Sequence, residues 1–171
     1  MGHHEHKHEA PRRVRLGVVT ASDTRGEAED ESGRFLREAA VAAGHEVVSY
    51  RVVPDERVAI LGALAGAAAA GAEAVVVNGG TGIALRDRTY EAVTGLLEKR
   101  LDGFGELFRM LSYAEIGSAA MLSRAVAGTW DGRVVFSVPG SLAAVRLAWE
   151  KLIAPELGHA LRELRKDLPR G

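Results

Sequence analysis

The sequence predicts an α/β fold, in which a mostly parallel β-sheet carries helices on both faces. Short apolar runs alternate along the chain with longer segments whose apolar residues recur at helical spacing. Glycine, proline or aspartate follows most of the apolar runs, as expected where a strand turns towards a helix. Because strand–helix units repeat in this way, the strands are expected to lie parallel, with helices on both sides of them.

The first half of the chain is predicted to contain three strands and two helices. Phe35, Leu36, Ala39 and Ala40 have the spacing of one helical face, and Gly44 follows as a stop signal. The third apolar run is short and free of charge, which is typical of a buried strand. In order, the predicted elements are strand 14–20, helix 29–43, strand 46–53, helix 56–70 and strand 74–77.

The second half is predicted to be helical except for one β-hairpin. Asp131-Gly132 lies between two strand-like runs and is a typical hairpin turn. Pro155 is suited to the first turn of a last helix. The predicted elements are helices 90–100 and 103–113, strands 124–129 and 133–138, and helices 142–153 and 155–166.

Composition indicates an ordinary globular domain and excludes several classes of protein. The chain has 171 residues, 47% of them hydrophobic, and a net charge of −1, so we expect one domain over residues 14–168. Neither the charge nor the 5% aromatic content favours nucleic-acid binding. No apolar run has the length of a membrane span, and there is no cysteine, so we expect a cytoplasmic protein without disulfides.

Residues 1–13 form a polar segment with four of the six histidines, His3, His4, His6 and His8. We expect this tail to be disordered. A tract that scavenges metal ions is the alternative interpretation.

Four polar loops follow predicted strands and are therefore expected to lie along one edge of the sheet. They contain Ser22-Asp23, Pro54-Asp55, Gly79 to Gly82, and Pro139-Gly140-Ser141. Ligands of open α/β sheets bind beyond the carboxyl ends of the strands. The four loops therefore predict one ligand-binding cleft.

The glycine-rich loop and two aspartates suggest that the cleft binds phosphate. Glycines allow a backbone to approach an anion closely, although a tight turn packed against a helix explains them equally well. Asp55 and Asp87 could share a magnesium ion with a triphosphate. Each also has a structural alternative: Asp55 could begin a helix, and Asp87 could form solvated ion pairs with Arg86 and Arg88.

The set of motifs, taken in order, resembles the molybdenum-cofactor biosynthesis proteins of the MoaB/MogA type. The likeness covers nearly the whole domain, from about Arg15 to Leu161. The segment from Ala148 to Leu157 resembles the MoaB branch in particular. The motifs are Gly79-Gly80-Thr81-Gly82 with Arg86-Asp87 and Thr89, Gly103-Phe104-Gly105-Glu106, Phe108-Arg109, Ser123-Arg124 and Pro139-Gly140-Ser141. Asn78 departs from the pattern, since many relatives have Thr or Ser there.

The resemblance implies a three-layer α/β/α domain with one antiparallel strand, which we place in the predicted hairpin. It also implies trimers, or hexamers built from them. The family reaction activates the terminal phosphate of molybdopterin with Mg-ATP, giving adenylylated molybdopterin and pyrophosphate. Molybdate insertion then follows on another protein. ATP and molybdopterin are thus the expected substrates, and Mg²⁺ the expected cofactor.

The family's two functional aspartates fall on Asp55 and Asp87, which we expect to be catalytic and to position Mg²⁺ and phosphate. The remaining expected binding residues are Ser22, Asp23, Gly79, Gly80, Thr81, Gly82, Arg86, Thr89, Pro139, Gly140 and Ser141. Because members of the MoaB branch differ in activity, a non-catalytic molybdopterin carrier or scaffold is the alternative function. A structural protein whose glycine loop is only a turn is a third.

Overall fold

The computed structural model describes Pro11 and residues 13–167. The predicted histidine-rich tail, residues 1–13, lies outside these residues except for Pro11 and Arg13, and stays a prediction. The strands are β1 Arg15–Ala21, β2 Glu46–Val53, β3 Ala74–Asn78, β4 Lys99–Arg100, β5 Val126–Trp130 and β6 Arg133–Val138. The helices are α1 Glu31–Ala42, α2 Arg57–Ala69, α3 Thr89–Thr94, α4 Asp102–Ile116, α5 Leu142–Ala148 and α6 Ala154–Arg165.

The strands form one six-stranded sheet in the order β2-β1-β3-β6-β5-β4. Strands β1, β2, β3 and β6 run parallel to one another, and β5 runs antiparallel to both of its neighbours. The turn between β5 and β6 has positive φ at Asp131 (45°) and Gly132 (71°), as a two-residue hairpin requires. The predicted fold class, with its single antiparallel strand in this hairpin, is confirmed.

Helices cover both faces of the sheet, and the side chains of the central strand β3 pack alternately against the helices of each face. Ala74 and Val76 pack with α1, α4, α5 and α6 on one face, whereas Val75 and Val77 pack with α2 and α3 on the other. Successive residues of a strand point to opposite faces, so the apolar run from Ala74 to Val77 is buried on both faces of the sheet. Within residues 13–167, no helix is both long enough and apolar enough to cross a membrane.

The predicted helix over residues 90–100 is wrong in its second half. Helix α3 ends at Thr94, and Lys99–Arg100 forms the short edge strand β4 against Gly128 and Thr129 of β5. A side chain on Gly128 would collide with the carbonyl of Lys99, so the absence of one permits this pairing. Strand β4 depends on pairing with β5, which is distant in the sequence, and local periodicity cannot predict such a pairing.

The two predicted C-terminal helices are joined by a π-helical turn over Trp149–Ile153. The Ala154 N–H donates to the carbonyl of Trp149, five residues back, instead of to the residue four back. Pro155 has no N–H, and its ring would press on the Lys151 carbonyl in a regular α-helix. The wider turn directly before Pro155 accommodates the proline without breaking the helix.

Glu73 lies between the beginnings of β1 and β3 and ties both to the end of α6. Its carboxylate accepts hydrogen bonds from the Arg15 N–H at 2.9 Å and from the Arg165 guanidinium at 2.7 Å. Burial acts to raise the pKa of Glu73, but these bonds to its charged form outweigh burial and lower the pKa below its ordinary value. The ionised carboxylate therefore stabilises the folded chain.

Glu73→Gln is expected to lower the free energy of unfolding by about 1 to 2 kcal/mol at neutral pH. Since the folded-state pKa is the lower one, this stabilisation is complete above the unfolded pKa and is lost as the pH falls through the folded pKa. Urea unfolding of wild type and variant at neutral pH and at about pH 3 measures the difference. Glu38→Gln, at an exposed position, is the control. If Glu73→Gln is still less stable than wild type at about pH 3, the ionised carboxylate is not the source of the stabilisation.

Candidate functional site

The four predicted loops meet at the carboxyl edge of the parallel strands and line a cleft of about 310 Å³. The cleft also has a basic side chain that the sequence analysis did not single out, Arg25, whose guanidinium donates to the Gly140 carbonyl at 3.4 Å. The predicted site residues that line it are Ser22, Asp23, Asp55, Gly79, Gly80, Arg86, Asp87, Gly140 and Ser141.

A second cavity of about 320 Å³ lies against the glycine loop and is more apolar than the first. Thr81, Gly82 and Pro139, which are absent from the wall of the first cleft, line this one. Gly80, Gly140 and Ser141 line both cavities. The apolar part of its wall consists of Phe108, Ile116, Ala119, Leu122 and Ala144. Thr89 is buried and lines neither cavity, and the other predicted residues divide between two adjoining spaces with a common wall.

Asp55 is buried, with 8% of its surface exposed, and its carboxylate is bound by the loop that follows β3. Its Oδ1 accepts hydrogen bonds from the Arg88 N–H at 3.1 Å and the Thr89 hydroxyl at 3.0 Å. The Asp55 N–H donates to the Asp23 carboxylate at 2.9 Å. Glu56, and not Asp55, is the residue that directly precedes α2 at its N-cap position. Asp55 therefore joins three of the loops around the cleft.

Asp87 is half-buried at the mouth of the cleft, and its carboxylate folds back onto its own loop. Its Oδ2 accepts a hydrogen bond from the Ala84 N–H at 2.8 Å. In the part of the chain that the structure describes, Asp87 forms no ion pair with Arg86 or Arg88, both of which are exposed. Its other carboxylate oxygen accepts no hydrogen bond from residues 13–167, so that oxygen is available to a ligand.

The glycine loop presents a row of backbone donors. Gly79 and Gly80 have φ values of 100° and 59°, and a side chain on Gly80 would collide with Asp55 Oδ2 and Thr89 Oγ1. The N–H groups of Gly80, Thr81, Gly82 and Ile83 donate to no other group within residues 13–167. Successive free N–H groups next to a residue with positive φ form a concave site for an anion. The loop therefore presents the kind of donor arrangement that suits an anion such as phosphate.

A buried hydrogen-bonded chain beneath the cleft was missed by the sequence analysis. Asp30 accepts hydrogen bonds from the Thr20 hydroxyl at 2.6 Å, the Tyr50 hydroxyl at 2.8 Å and the Gly33 N–H at 2.9 Å. The Asn78 amide in turn donates to Thr20 at 2.8 Å. Burial and the bond to Asp30 raise the pKa of Tyr50, so its hydroxyl remains a donor. An aspartate at the start of a predicted helix was the signal available for Asp30.

Two serines of the cleft have hydroxyls that already hold local structure. Ser141 caps the N-terminus of α5, and its Oγ accepts a hydrogen bond from the Ala144 N–H at 3.2 Å. Ser22 Oγ accepts one from the Arg25 N–H at 3.1 Å. Both side chains therefore shape loops of the cleft in addition to lining it.

The carboxylates of the cleft suit a magnesium ion that is shared with phosphate. Mg²⁺ binds through one or two carboxylates together with water and substrate phosphates, and seldom through a cage made only of protein. Asp55 and Asp87 both line the cleft and supply this donor set. No group of three or more histidine, aspartate or glutamate residues arranged to hold a metal occurs among residues 13–167. The residues present therefore fit a magnesium ion that is shared with substrate phosphates, and not one that protein ligands alone enclose.

Comparison with known proteins identifies the family. A family model described as "Probable molybdopterin binding domain" matches residues 17–159. The chain belongs to this family of molybdenum cofactor biosynthesis proteins. It is 56% identical over 165 residues to molybdenum cofactor biosynthesis protein B of Bacillus cereus, which covers 95% of this chain and 98% of that protein.

Solved structures agree with this assignment. A crystal structure of molybdenum cofactor biosynthesis protein B superimposes with a TM-score of 0.88 at 55% identity and covers 93% of this chain and all of the other. The tungsten cofactor synthesizing protein MoaB from Pyrococcus furiosus gives 0.84 at 44% identity, covering 91% of this chain and 99% of that one. The resemblance to the MoaB/MogA family noted in the sequence is confirmed.

Proposed function

We propose that this family member binds molybdopterin and transfers the adenylyl group of Mg-ATP to its terminal phosphate. The observation that carries the proposal is the pair of adjoining cavities, which meet at a loop with four free N–H groups. A reaction between two phosphates needs two neighbouring ligand spaces and donors at their junction. The more apolar cavity suits a flat ring system, and the more polar cleft suits phosphate.

The reaction joins two anions, and the residues of the cleft reduce the repulsion between them. An oxygen of the molybdopterin phosphate attacks the α-phosphorus of ATP, the bond from that phosphorus to the bridging oxygen breaks, and pyrophosphate leaves with the electron pair. Because the attacking oxygen is already negative, no strong base is needed. Arg25, Arg86 and the N–H groups of the glycine loop offset the charge that develops.

Asp55 and Asp87 would hold Mg²⁺ when it is bound, and that ion supplies charge neutralisation to the phosphates of ATP. Asp55 is suited to this role because bonds from Arg88 and Thr89 fix its carboxylate in place. The adenylylated product would then pass, in the cytoplasm, to a protein that inserts molybdate.

Release of pyrophosphate from a mixture of purified protein, Mg-ATP and molybdopterin tests the proposal. The expected result is one pyrophosphate per adenylylated molybdopterin, with none when molybdopterin or the protein is omitted. Molybdopterin binding without pyrophosphate release would overturn the proposed chemistry and favour a carrier or scaffold. A melting temperature that responds to neither ligand would leave only a structural role.

We also propose that the protein assembles into trimers or hexamers through the outer face of α4. Met110, Tyr113 and Ile116 are at least 60% exposed, and Met121 after the helix is 78% exposed. An exposed apolar patch of this kind marks an interaction surface, and a second copy of the chain is the partner that the family resemblance suggests. Light scattering at micromolar concentration is expected to give three or six times the chain mass of 18.2 kDa. A monomer would refute the assembly.

A further inference from the structure

Arg124 lies behind the glycine loop and donates hydrogen bonds to its backbone carbonyls. Its Nε donates to the Thr81 carbonyl at 3.1 Å, and its Nη2 donates to the Gly82 carbonyl. Its Nη1 pairs with Glu91, and the guanidinium carbon lies 4.6 Å from the centre of the Tyr90 ring. Arg124 lines neither of the two cavities that flank the loop, and it borders a separate cavity of about 380 Å³ together with Tyr90 and Arg109. It therefore contacts the loop without reaching the ligand spaces.

Because the peptide bond is planar, the hydrogen bonds from Arg124 to these carbonyls also fix the direction of the neighbouring N–H groups. In a trans peptide, the carbonyl of one residue and the N–H of the next point in opposite directions. Since the Thr81 and Gly82 carbonyls both point at Arg124, the N–H groups of Gly82 and Ile83 point away from it. These are two of the four N–H groups with no partner in residues 13–167.

We propose that Arg124 is a positioning residue that sets the direction of these N–H groups and so makes the glycine loop competent to bind phosphate. The inference deepens the proposed function and rests on it. Glycine has wide backbone freedom, so the peptide units around Gly82 would otherwise sample other orientations.

Orienting the loop in this way requires the several N–H donors of a planar guanidinium group. Two neighbouring carbonyls are bound by separate nitrogens of one rigid plane, while a third nitrogen pairs with Glu91 and the plane stacks on Tyr90. A lysine carries the same charge but is a single point on a flexible stem. Arg124→Lys therefore preserves the charge and removes the alignment.

The chain provides a matched control in Arg133. Its Nε donates to the Ala72 carbonyl at 3.0 Å, its Nη1 donates to the Asp131 carbonyl at 2.6 Å, and it pairs with the Asp131 carboxylate. The guanidinium also lies 5.7 Å from the Trp130 ring, and Arg133 lines neither cavity. Arg133→Lys therefore removes the same kinds of contact away from the glycine loop.

Calorimetric titration with inorganic pyrophosphate, together with melting temperature, tests the proposal. We expect Arg124→Lys to weaken pyrophosphate binding by about tenfold or more, while Arg133→Lys lowers the melting temperature to a similar degree without changing affinity. Arg124→Ala is expected to regain affinity when guanidinium ion is added at concentrations too low to unfold the protein. The lysine side chain of the Arg124→Lys variant is not expected to restore the affinity for pyrophosphate.

The outcomes separate this proposal from the proposed function. If wild type binds pyrophosphate and Arg124→Lys binds it equally well, Arg124 does not position the loop, and the proposed reaction is unaffected. If both lysine variants lose affinity in proportion to their loss of stability, the role of Arg124 is only structural. If wild type binds neither pyrophosphate nor Mg-ATP, the proposed function itself fails.

Discussion

Asp55→Asn and Asp87→Asn are each expected to slow pyrophosphate release by about 100- to 1,000-fold. The amide has the size of the carboxylate but no negative charge, so it weakens the hold on Mg²⁺ and on the bound phosphates. In Asp55→Asn the amide oxygen could still accept the bonds from Arg88 and Thr89, which should preserve the fold. Initial rates of pyrophosphate release at saturating Mg-ATP and molybdopterin measure the effect.

Asp131→Asn is the matched control for these two variants. Its side chain is 75% exposed, it lies in the hairpin turn away from the cleft, and asparagine tolerates its positive φ. The control should keep the wild-type rate. A rate for Asp87→Asn within about twofold of wild type would remove Asp87 from the proposed chemistry.

Asp30→Ala is expected to lower the free energy of unfolding by about 3 to 5 kcal/mol, the largest stability effect that we expect of a single side chain here. The change removes the side chain that caps the N-terminus of α1 and leaves the Thr20 and Tyr50 hydroxyls without their acceptor. Urea unfolding at neutral pH measures the change.

Two further variants show which part of Asp30 matters. Glu31→Ala alters the exposed acid that follows Asp30, at the first position of α1, and should cost less than about 1 kcal/mol. Asp30→Asn retains an oxygen for the Gly33 N–H but places an NH₂ donor where two hydroxyls now donate. It should therefore be destabilised as well. Stability close to wild type in Asp30→Ala would show that water replaces the carboxylate.

The sheet could be predicted from the sequence wherever local pattern and burial agree. The strand over Glu46–Val53 and the hairpin at Asp131-Gly132 follow from apolar runs and turn residues. β4 could not be predicted, because two residues carry no periodicity and their pairing depends on Gly128, far along the chain. Local sequence also does not show that a proline will be tolerated inside a continuous helix.

The candidate site could be predicted as a set of loops, but the connections between them could not. Asp55 binds residues 33 and 34 positions away, and Arg124 reaches carbonyls 42 and 43 positions away. Such bonds form only after the sheet has brought the loops together. Arg25 was missed for the same reason, as were the bonds that Asp30 accepts from Thr20 and Tyr50, whereas its bond from the Gly33 N–H is local.

The π-helical turn before Pro155 changes the phase of the C-terminal helix. Val145, Trp149, Ile153, Leu157 and Leu161 recur at intervals of four, and all are nearly fully buried. In an unbroken α-helix each interval turns about 40° beyond a full circle, so the last residue would lie about 160° around the helix from the first. Because the π turn winds more residues into one circuit, it offsets much of that drift. A sequence with a strict four-residue period can therefore keep one face against the sheet over the length of two helices.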